Sequence, residues 1–76
     1  MHIGMLWYDN DPTAALDVKI QKAAEYYRNK YGRKPNLCLV NPGMLNGEKF
    51  REQKITIRPY RFVLPGHLWI GIEDHT

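Results

Sequence analysis

The chain has 76 residues, one cysteine, 43% hydrophobic and 25% charged residues, and a formal net charge of +3. That make-up describes one small globular domain, 1–76, and excludes a disordered tail, which would be poorer in apolar residues. It also excludes a disulfide scaffold, because Cys38 has no second cysteine to join, and a helical membrane span, because no apolar run approaches about 18 residues.

Residues 3–8, Ile-Gly-Met-Leu-Trp-Tyr, predict a first strand, since Trp and Tyr suit a pleated surface. Asp9-Asn10-Asp11-Pro12 predicts a helix start: an Asp accepts free backbone N–H bonds, and Pro fits the first helical position. Leu16, Ile20, Ala23, Ala24, Tyr27 and Tyr31 then recur at helical spacing as one apolar stripe, and Lys19, Lys22, Arg28 and Asn29 fall away from it. Gly32 supplies a left-handed stop and Pro35 prevents resumption, so the helix spans about 12–31.

Asn36-Leu37-Cys38-Leu39-Val40 is a continuous apolar run, the pattern of a strand buried on both faces inside its sheet. Strand, helix, strand in that order predicts a right-handed crossover between parallel strands. Asn41-Pro42-Gly43 closes the strand with residues suited to a type II turn. Residues 44–53 read as a flap. Ile55 and Ile57 alternate with Lys54, Thr56 and Arg58, which gives a strand with one wet face. Arg61-Phe62-Val63-Leu64 and 67–73 predict two more strands, joined at Pro65-Gly66 as an antiparallel hairpin. The fold class is therefore α+β: a two-layer sandwich of one long helix on a mixed four- to five-stranded sheet, in the order β-α-β-(flap)-β-β-β.

That architecture carries the main functional expectation. Four strands about 4.8 Å apart span roughly 14 Å, and a helix is about 10 Å wide, so one helix dries one face and cannot dry two. Yet Leu6 and Tyr8 oppose Met5 and Trp7 on the first strand, and Trp69 opposes Leu68, Ile70 and Ile72 on the last. The second face must be covered by the flap, by a second copy of the chain or by another partner. Trp7, Tyr8, Phe50, Phe62 and Trp69 are the candidate interaction surface of a non-catalytic binding domain that self-associates through an aromatic sheet face or edge. Small size points the same way, because a chain this short buries only about 60% of its unfolded surface.

Charge gives the alternative. All 11 basic residues lie within 18–72, against Glu25, Glu48 and Glu52. Arg28, Lys30, Arg33 and Lys34, with Arg58 and Arg61 among aromatic residues, form a possible polyanion-binding set, so nucleic acid is the second candidate partner. The first four also complement the negative end of the helix, which gives them a structural role without any ligand.

Chemistry finds little support. No serine is present, and Cys38 sits in an apolar strand, where a thiol is inert. His2, His67 and His75 lack partners at metal-ligand spacing, and Glu73-Asp74-His75 reads as a solvated tail. Glu52 and Lys54 share the acid–x–Lys spacing of metal-dependent nucleases, but no second carboxylate stands on the preceding strand. Asp9 and Asp11 are explained as helix-start residues, and His67 has no assigned carboxylate to orient it as a base. No catalytic residue, metal or cofactor is expected, and no membrane partner. The lone cysteine and the absence of an apolar leader after Met1 make a cytoplasmic setting the expectation.

Overall fold

A computed structural model, which describes residues 3–45 and 55–73, shows one helix packed on a four-stranded mixed sheet. The elements are β1 (Ile3–Tyr8), α1 (Leu16–Tyr31), β2 (Leu37–Val40), a short 3-10 turn (Pro42–Leu45), β3 (Thr56–Pro59) and β4 (His67–Ile72). The sheet order is β1-β4-β2-β3, with β4 antiparallel to both β1 and β2, and β3 parallel to β2. β1 and β2 therefore run the same way, as the β-α-β order demands, but β4 is inserted between them.

The apolar stripe of α1 makes the core. Leu16, Ile20, Ala23 and Tyr27 are buried against Cys38 and Val40 of β2 and Leu68, Ile70 and Ile72 of β4, with Met5, Trp7 and Ile57 packed at the margin. Gly32 ends the helix in the left-handed region (φ 71°), and its N–H donates to Arg28 O at 2.8 Å. Met44, Leu45 and Ile55 also pack on this side. Among the described residues no helix is long and apolar enough to cross a membrane.

Five expectations need correction. The helix begins at Leu16, not near Pro12, and its N-cap Ala15 makes no side-chain cap. The acids form turns of their own instead: Asp9 Oδ1 accepts from Asp11 N, and Asp11 Oδ1 accepts from Thr13 N and Oγ1 at 2.9 and 2.7 Å. A side chain that satisfies its neighbour's backbone competes with helix formation, which delays the helix by a turn. Lys19 does not point to water. It is 8% exposed, and its ammonium donates to Asp9 O at 3.1 Å, so its stem lies along the core and its head ties down the turn.

Asn41-Pro42-Gly43 is not a type II turn but opens the 3-10 turn, with Asn41 Oδ1 accepting from Gly43 N and Asn41 O from Met44 N, each at 2.9 Å. Residues 61–64 are not a strand, and no hairpin forms with β4. The Pro65-Gly66 turn itself is present: Gly66 has φ 84° and His67 N donates to Leu64 O at 3.0 Å. It delivers the chain into the slot between β1 and β2, where β4 finds a partner on each side.

A candidate interaction face

The face of the sheet turned away from α1 follows from strand register. Leu6 pairs with Trp69, Trp69 with Leu39, and Leu39 with Arg58, so these four side chains form one row across all four strands. The row beside it runs Gly4, Gly71, Leu37 and Thr56. Tyr8 and His67 are paired on the other side, with ring centroids 4.7 Å apart. Three of the four residues in the central row are apolar, as continuous apolar runs in β2 and β4 require: a strand without polar alternation cannot present a wet side.

Trp69 dominates this face. Its indole covers Gly4, where a β-carbon would overlap the ring, so a glycine in the edge strand is what lets the indole lie down on the sheet. The segment after β3 supplies a wall. Tyr60 N donates to Val40 O at 2.8 Å, Asn41 Nδ2 donates to Val63 O at 3.0 Å, and Val63 is buried while Phe62 is not. The result is an open groove of about 540 Å³, with Leu37, Leu39, Trp69 and Leu6 as floor and Tyr60 and Phe62 as wall. Its rim carries Arg58 and Glu73, whose charged groups meet at 3.4 Å.

The face is thus covered in part by the coil at 60–64, which includes the 61–64 run expected as a strand. Uncovered apolar surface remains. Leu6 is 64% and Phe62 69% exposed, and Leu39 and Trp69 are half-buried between them in the strand order.

The five residues expected to form one interaction surface do not lie together. Trp69, Tyr8 and Phe62 belong to the open side. Trp7 belongs to the helix side, where it packs on Tyr26 with ring centroids 5.2 Å apart. The period-2 geometry of β1 had already separated Trp7 from Tyr8. Phe50 lies outside the described residues, as do Glu52, Lys54, His2, Asp74 and His75. Leu6, Leu39 and Leu37 were not singled out from sequence, because only register shows which leucines share a row with Trp69.

The basic set is likewise divided. Arg28 and Lys34 line a groove on the helix side with Glu25, Pro35 and Ile55. Lys30 lies over the ring of Tyr31, and Arg33 follows the helix stop. Arg58 belongs to the opposite face and pairs with Glu73, and the guanidinium of Arg61 sits 5.0 Å from the Phe62 ring centre.

Among the described residues no three His, Cys, Asp or Glu side chains are grouped to hold a metal ion. Burial pushes the Cys38 thiol up to about 12, far from the range of a nucleophilic thiolate. His67 Nδ1 is buried with no hydrogen-bond partner, against the Tyr8 ring. Comparison with known protein families, with characterised proteins and with solved structures gave no match.

Proposed function

We propose that this domain is a non-catalytic binding module that associates with a second copy of itself through the sheet face opposite α1. One observation carries the reading: exposed Leu6 and Phe62 flank half-buried Leu39 and Trp69 at the centre of a sheet whose other face packs on α1. A half-buried tryptophan ringed by exposed leucine and phenylalanine has the composition of an interface centre. A two-fold contact requires a patch that complements itself. The middle of this one is neutral and apolar, and its rim carries Arg58 beside Glu73, a pair of opposite charges that leaves the rim without a single-sign charge to repel a second copy.

Nucleic acid stands second. Arg58 and Arg61 are already engaged by Glu73 and Phe62, and the remaining cluster sits at the helix end whose dipole it complements.

Sedimentation equilibrium over a concentration series tests the proposal. The wild type is expected to show a reversible dimer, and Phe62→Glu and Leu39→Glu to weaken it by at least roughly tenfold, since each buries a charge at the contact. A wild type that stays a single chain throughout, or association untouched by both substitutions, overturns it.

A further inference from the structure

The two outer edges of the sheet differ in a way the face does not explain. An exposed strand edge is a template for another strand, and proteins blunt it with proline, charge or shortness. The β3 edge is blunted by all three: it has four residues, ends in Pro59 and carries Arg58. The β1 edge has none of these defences. It has six residues, Ile-Gly-Met-Leu-Trp-Tyr, without charge or proline, and among the described residues no strand pairs with its outer side.

The phase of the ladder identifies which groups point away from β4. Asp9 N donates to Gly66 O at 2.9 Å, one step beyond the Tyr8–His67 pair. Bonded and unbonded pairs alternate in an antiparallel ladder, so Trp7–Leu68 and Met5–Ile70 are bonded, while Tyr8–His67, Leu6–Trp69 and Gly4–Gly71 are not. The N–H and C=O groups of Gly4, Leu6 and Tyr8 therefore point outward, and they are symmetric about Leu6.

We infer that β1 is a second self-pairing site, at which two copies join β1 to β1, antiparallel, about a two-fold axis at Leu6. This contact is separate from the face contact and is carried by the edge chemistry alone. A strand that extends β1 must be neutral and apolar on both sides, because exposed Leu6 and Tyr8 lie on one and half-buried Met5 and Trp7 on the other. β1 is itself such a strand. In this register Leu6 faces Leu6 of the second copy, and Gly4 faces Tyr8, with two hydrogen bonds at each of the three pairs. Tyr8 arrives beside the glycine over which the partner subunit's Trp69 lies, and Met5 comes opposite Trp7, a favourable sulfur–aromatic neighbour.

Amide hydrogen exchange, followed by NMR over a concentration series in wild type and in Phe62→Glu, tests this. In both proteins the amides of Gly4, Leu6 and Tyr8 are expected to exchange freely when dilute. They should slow roughly fivefold at a total chain concentration ten times the dissociation constant, where about a fifth of the chains remain unpaired. Leu6→Pro removes one outward N–H and spares the β1–β4 ladder. It is expected to abolish the slowing at Gly4 and Tyr8 while the Leu68 and Ile70 amides stay protected. If the three amides in Phe62→Glu stay fast at every concentration, the edge pairing is wrong, whatever the face does. A wild-type dimer that leaves them fast is joined by its face alone and overturns it equally.

Discussion

The indole of Trp69 rests on Gly4, its diagonal neighbour across the β1–β4 ladder, where no side chain could stand. The register partner of Trp69 is Leu6, so the ring reaches two residues along β1 and covers the backbone there. That placement keeps the largest apolar side chain of the open face low against the sheet and leaves Leu6 proud beside it.

Gly4→Ala should therefore act as an overpacking change. The new methyl overlaps the indole, and either the ring lifts or the strand shifts, at a cost of about 1–3 kcal/mol. Urea unfolding gives the loss. A shifted indole N–H resonance for Trp69, with that of Trp7 unmoved, shows that the ring is what yields.

Asn36 joins the entry of β2 to the exit of β4. Its Oδ1 accepts from Glu73 N at 2.7 Å and its Nδ2 donates to Glu73 O at 3.3 Å. Asn36→Ala leaves both backbone groups without this partner in a part-buried place and is expected to destabilise by about 1–3 kcal/mol. Asn36→Asp keeps only the acceptor, so it should fall between wild type and Ala in the same unfolding assay.

Cys38 makes stability depend on alkaline pH. Burial raises its thiol from an ordinary value near 9 to about 12, so the folded state holds a proton that the unfolded state releases. The contribution is intact below pH 9 and is lost as pH rises toward 12, with a slope of about 1.4 kcal/mol per unit in that window. Unfolding curves of wild type and Cys38→Val should diverge above pH 9, the variant losing less. Equal slopes would refute the assignment.

Asp11 works in the opposite sense. Its hydrogen bonds from the Thr13 hydroxyl and backbone hold the carboxyl below its usual range. The turn is thus favoured above the ordinary carboxylate value and is weakened as pH falls through the lowered one. An NMR titration of Thr13→Ala should move the Asp11 midpoint back up. No movement would mean that the hydroxyl contact is not made in solution.

The exposed Arg58–Glu73 pair should matter little to folding. At 3.4 Å and with the guanidinium half in water, its removal by Arg58→Ala is expected to cost under about 1 kcal/mol. If the proposed face contact forms, Arg58→Ala should weaken association more than folding, and comparing unfolding with sedimentation separates the two.

Periodicity and punctuation give the helix stripe from Leu16 to Tyr27, its stop at Gly32, the interior position of β2 and the sheet's second apolar side, but not the end of the stripe, since Tyr31 lies 40% exposed. Each depends on neighbours within a few residues, through the 3.6- and 2-residue repeats or the left-handed freedom of glycine. The tertiary structure alone decided that β4 slots between β1 and β2, that 61–64 becomes a wall and not a strand, and that Lys19 turns inward to Asp9. It also decided which leucines share a row with Trp69. Those outcomes compare contacts between segments far apart in the chain, and a strand's choice of neighbour is set by the total pairing and burial it gains, which no local pattern records.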